Sequence, residues 1–135
     1  MSTKSYGIRT QIDASYEDAI PKVTEALKQQ GFGILTQIDV AATLKTKLDK
    51  SFRKYVILGA CNPSLAFQAL TSETEIGLFL PCNVLVYEGD DGKTVVSAQD
   101  PIVALGIVGN DAVTPVAKEA KERLERVITG LASES

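Results

Sequence analysis

The stretch Arg53–Leu70, R-K-Y-V-I-L-G-A-C-N-P-S-L-A-F-Q-A-L, constrains the fold most. Tyr55 to Ala60 is apolar and β-branched enough for a buried strand. It breaks at Gly59-Ala60-Cys61, and Asn62-Pro63 then has the grammar of a helix start: a capping side chain followed by proline, whose missing N–H is harmless there. A strand passing straight into a helix, with a cysteine at the junction, demands a layered domain.

The flanking segments supply the rest of the sheet. Tyr6–Ile12 reads as a first strand and Phe32–Ile38 as a second. Between them Ser15 caps a helix with Glu17 and Asp18 in its first turn, Pro21 early, and Ile20, Val23, Ala26 and Leu27 at helical spacing; Gly31 ends it. The spacing leaves open whether these two strands are a parallel crossover or a wider antiparallel pair. Asp39 caps a shorter helix with Val40, Leu44 and Leu48 on one stripe. Lys45, Lys47, Lys50, Arg53 and Lys54 form a basic cluster opposed locally by Asp49 alone, which reads as a solvated face or an anion-attracting rim.

After the central strand, Leu65, Ala66, Ala69 and Leu70 form the buried stripe of a helix whose alanines suit close approach to a sheet. Val84–Glu88, the turn Gly89-Asp90-Asp91-Gly92 and Lys93–Ser97 are a hairpin. Asp100-Pro101 repeats the helix-start grammar, and the apolar run Ile102–Val108 should cover a core edge, a pocket or a neighbouring subunit. A last helix, capped by Asp111 or Thr114, has a long stripe of Val116, Ala120, Leu124, Val127, Ile128 and Leu131. Glu119–Arg123 and Glu122–Arg126 are placed as four-residue ion pairs. The expectation is an α+β fold: one domain over 1–135, with a mixed, largely antiparallel sheet of about five strands packed against helices.

Composition narrows function by exclusion. The chain has no histidine, so Ser-His and Cys-His catalytic pairs are ruled out, along with the commonest metal ligand. A formal charge of -3 gives no drive toward nucleic acid. No apolar run could span a bilayer and no signal region opens the chain, so a cytoplasmic protein without membrane contact is expected. The two cysteines are then expected as thiols.

Cys61-Asn62-Pro63 and Pro81-Cys82-Asn83 echo each other, but fit neither a zinc spacing nor the two-residue gap of a redox pair; no metal is expected. At a helix start, free N–H groups would lower the Cys61 pKa. A strand starting near Ile76, with six residues at roughly 3.3 Å each, would climb about 20 Å and bring Cys82 level with Cys61. A strand starting after Pro81 would leave the sulfurs at opposite ends. The candidate binding residues are Cys61, Asn62, Cys82, Asn83 and Asp100, with Ile102–Val108 as a wall. The plainer reading makes both cysteines core hydrophobes, and Asn62 and Asp100 helix caps.

The phrases Y-V-I-L-G-A-C-N-P-S-L-A, I-G-L-F-L-P-C-N-V-L-V-Y and T-V-V-S-A-Q-D-P, with D-V-A-A-T-L-K-T-K-L and the amphipathic last helix, resemble the domain of unknown function 302 (DUF302) family. The resemblance implies a small α/β domain with a largely antiparallel sheet, often dimeric, and carries no catalytic residues or cofactor. Three functions follow as expectations: a small-molecule binding domain near Cys61 and Cys82, a thiol-dependent enzyme or redox protein using Cys61, or a structural homodimer pairing through Gly106–Val108 and a sheet edge.

Overall fold

A computed structural model describes residues 6–134. In chain order the elements are β1 (Gly7–Ile12), α1 (Tyr16–Gln29), β2 (Gly33–Asp39), α2 (Val40–Leu48), β3 (Tyr55–Cys61) and α3 (Pro63–Ser72). There follow a 3-10 segment (Thr74–Phe79), β4 (Cys82–Glu88), β5 (Thr94–Gln99), α4 (Pro101–Gly106), a 3-10 turn (Asp111–Val113) and α5 (Thr114–Glu134).

The five strands form one sheet in the order β1-β5-β4-β3-β2, and every neighbouring pair is antiparallel. Four reversals separate β1 from β2, so they run in the same direction at opposite edges. The helix between them is therefore neither a crossover to an adjacent strand nor an antiparallel link. The expected mixed sheet is wholly antiparallel.

Capping explains where the helices begin. Ser15 Oγ accepts from Asp18 N at 3.0 Å, and Asp39 Oδ1 from Ala42 N at 2.9 Å. Asn62 Oδ1 accepts from Leu65 N at 3.1 Å, and Asp100 Oδ1 from Ile102 N at 2.9 Å. Each satisfies a donor that the first helical turn leaves free. Asn110, rather than Asp111, caps the 3-10 turn that leads into α5, by accepting from Ala112 N at 2.9 Å.

One face of the sheet carries the core. Val56, Leu58 and Ala60 of β3, Val84 and Val86 of β4, and Val96 and Ala98 of β5 pack with Val23 and Leu27 of α1 and Leu124, Val127 and Leu131 of α5. A second cluster joins Ala69 of α3, Ile76, Leu105 of α4, and Val113, Val116 and Ala117. The full α5 stripe is buried. Elsewhere on the sheet Arg9, Tyr55, Leu85 and Tyr87 line an open groove, with no helix residue in its lining among the described residues.

Several local expectations change. The α2 stripe does not bury: none of its residues is in the core and Leu48 is exposed. Leu70 is also partly exposed. The basic cluster finds acids from elsewhere in the chain, with Arg53 on Asp90 at 2.6 Å and Lys54 on Glu17 at 2.7 Å beside the local Lys45–Asp49 pair. Arg123 pairs with Glu119 at 2.7 Å, but Arg126 Nε donates to Gln30 Oε1 instead of meeting Glu122. Ile76 does not start a strand. Thr74–Phe79 is a 3-10 segment, and β4 begins just after the cis Leu80–Pro81 bond.

Candidate functional site

Although β4 starts after Pro81, Cys82 is not at the far end. Because β4 runs antiparallel to β3, its first residue lies beside the last residues of β3: Cys82 is opposite Ala60, one position before Cys61. The chain from Asn62 to Pro81 leaves and returns at the same end of the sheet. The condition set from sequence was wrong because it assumed a parallel climb.

At that end is a cavity of about 310 Å³, partly open to solvent. Its floor is Ala60, Cys61 and Cys82. Phe32 and Leu35 close the β2 side, while Leu65, Ala66 and Ala69 form the α3 side. Leu80 and Pro81 border β4, and Leu105, Val116 and Ala120 close the space from α4 and α5. The cavity lies along the seam between the two apolar clusters. The alanines explain why it exists. Instead of drawing α3 onto the sheet they leave space unfilled, and α3 packs mainly against the 3-10 segments and α5.

The lining is almost wholly apolar, with Asn62 and the two thiols as its only polar side chains. Asn62 Oδ1 is committed to its capping bond. Its amide nitrogen points toward Gly31, whose positive φ of 88° and missing Cβ leave it room; a Cβ there would come within 2.8 Å of Asn62 Nδ2.

The Cys61 thiol departs from the lowered pKa expected at a helix start. Burial pushes the Cys61 pKa up rather than down. Burial, and then the neighbouring Cys61, push Cys82 up to about 11. Cys61 precedes the cap residue, so it lies outside the helix's ring of free N–H groups, and desolvation in an apolar cavity wins. At neutral pH both sulfurs are neutral thiols.

The other two candidates lie elsewhere. Asn83 is exposed, and its backbone N–H donates to Gln99 Oε1 at 3.1 Å. Asp100 is buried, caps α4, and meets Lys121 at 3.0 Å, a contact that raises the Lys121 pKa. Neither lines the cavity. Of the apolar run 102–108, Leu105 supplies the wall. Sequence reasoning missed Phe32, Leu35, Leu80, Val116 and Ala120; the signal available was the concentration of alanine on the facing stripes of α3 and α5. Among the described residues no three potential ligands gather as a metal site, and no helix is long and apolar enough to cross a membrane.

Comparison with known proteins agrees with this fold. Residues 8–131 match the family described as domain of unknown function DUF302. The chain belongs to the DUF302 family. The crystal structure of an uncharacterized conserved DUF302 protein from Bacillus stearothermophilus superposes with a TM-score of 0.87 at 28% identity, over 94% of this chain and 98% of that one. No curated protein matches the chain. The DUF302 assignment and the α+β fold therefore stand together.

Proposed function

We propose that this DUF302 chain is a binding domain for a compact, uncharged, apolar small molecule. The guest is held between α3, α5 and the end of β3–β4, with the neutral thiols of Cys61 and Cys82 against it. The observation that carries this reading is the apolar cavity of about 310 Å³ lined by both sulfurs. That volume suits small-ligand pockets and equals the liquid volume of roughly ten waters. So apolar a space holds water poorly, which favours an organic guest. A nucleophilic role for Cys61 fits less well: the thiol pKa is raised and the chain has no histidine to activate it.

Thermal shift with toluene, indole and hexanol tests the reading. At least one should raise the melting temperature and slow alkylation of Cys61. Ala120→Leu, which fills the cavity, should abolish both effects while the protein remains folded. Unchanged melting with all three at their solubility limits would refute the proposal.

A homodimer is the second reading, favoured by Phe67, Leu78 and Ile107, each more than 70% exposed on neighbouring elements beside the cavity. Light scattering across a dilution series tests it. A monomer at every concentration removes it.

A further inference from the structure

The sheet carries a second groove, away from the thiol-lined cavity. Register places Tyr55 opposite Tyr87, and Arg9 opposite Ser97, on adjoining strands. With Tyr6, Gly7, Phe52, Arg53 and Leu85 these residues line an open groove of about 390 Å³. Three of the chain's four tyrosines are in it. The Tyr55 and Tyr87 rings stack with centroids 5.2 Å apart, and Phe52 tilts against Tyr55 at 5.9 Å.

The two arginines of the groove differ in one decisive respect. Arg53 already has its anion, Asp90 at 2.6 Å. Arg9 has no carboxylate within ion-pair distance among the described residues. Its Nη2 donates to the Tyr87 hydroxyl at 2.7 Å, and its Nε is buried with no acceptor. A phenol is a neutral partner, so a half-buried guanidinium is left without a counter-charge. That arrangement is costly until an anion arrives. The Nη1 hydrogens and one on Nη2 remain available to it. A single unmatched positive charge fits a monoanion, and a net charge of -3 on the chain disfavours a dianion. The surrounding rings supply an apolar wall with polar tips. Burial, then Tyr87, raises the Tyr55 pKa, so its hydroxyl stays a donor.

We propose that this groove binds a small aromatic carboxylate, with the carboxylate on the free end of the Arg9 guanidinium and the ring against the tyrosine and phenylalanine wall. The site is separate from the thiol-lined cavity: the two share no lining residue, and Tyr55 and Cys61 stand at opposite ends of β3.

Nuclear magnetic resonance titration of the full chain with benzoate tests this, with acetate and benzyl alcohol as the charge-only and ring-only controls. Benzoate should shift the Arg9 Nε–H signal and the Tyr55 and Tyr87 ring signals saturably, and bind at least about tenfold more tightly than either control. Arg9→Met should weaken benzoate by about tenfold or more at an unchanged melting temperature. Should Arg9→Met melt early, Tyr55→Leu provides a second measurement: it should bring benzoate down to the level of acetate. Equal shifts from benzoate and acetate would overturn the proposal, as would shifts that leave the Arg9 signal still. A dimer that covers Arg9 and dissociates in Arg9→Met would overturn it too, because a second copy would then supply the anion.

Discussion

Raising the pH should expose the burial of Cys82 as a loss of stability. Cys82 is 8% exposed as a residue, and burial moves its thiol pKa from an ordinary 9.0 to about 11 in the folded chain. Folding therefore favours the protonated form. Below pH 9 the group is protonated in both states and its contribution is fully present. Above that pH the unfolded chain gives up the proton while the folded chain keeps it, so stability falls until the folded thiol also ionises near 11. Two pH units correspond to about 2.7 kcal/mol in the limit, of which about 1.4 kcal/mol is lost by about pH 10. Lysines and tyrosines titrate in the same range, so the difference between wild type and Cys82→Ala is the quantity to follow. Urea unfolding of both proteins at steps from about pH 8 to about pH 11 measures it. The wild type should lose about 1–3 kcal/mol more than the variant over that range. Native-state alkylation of Cys82 should be slowed at least about 100-fold relative to the unfolded chain, from ionisation alone. Parallel stability curves for the two proteins would refute the reasoning, because the Cys82 thiol would then not be desolvated in the folded chain.

Three further outcomes follow from local geometry. Gly59→Ala would drive a methyl group onto Thr36 Oγ1 and within 2.9 Å of Pro81 Cγ, so it should cost about 1–3 kcal/mol in denaturant unfolding. Gly31→Ala combines a positive φ with contacts at 2.8 Å to Asn62 and 3.1 Å to Arg123; calorimetry should show a loss of about 1–2 kcal/mol or more. Asp100→Ala removes both the α4 cap and the Lys121 partner and should lose about 1–2 kcal/mol, whereas Asp100→Asn keeps the cap and should lose less by the same unfolding measurement.

Helix starts were legible because they are local. Ser15, Asp39, Asn62 and Asp100 each announce a cap within three residues, and the α5 stripe repeats long enough to be unambiguous. The run Ile76–Leu80 was not legible, since a short apolar stretch fits a strand as well as a 3-10 segment that buries Ile76 alone. The meeting of Cys61 and Cys82 depended on strand direction, which no local signal encodes. The α2 stripe misled because periodicity shows that a helix can bury a face, not that another element is there to cover it. The groove around Arg9 was invisible for a related reason: Arg9, Tyr55 and Tyr87 come from three strands that only the sheet register assembles.

The walls of the thiol-lined cavity run from Phe32 to Ala120 in sequence, and β2, β3, α3, β4, α4 and α5 each lend it a side chain. An occupant there would behave as a keystone touching β2 and the last helix at once. Its binding energy would be lost only when these elements part, so hydrogen exchange should slow in β2 and α5 together rather than in α3 alone.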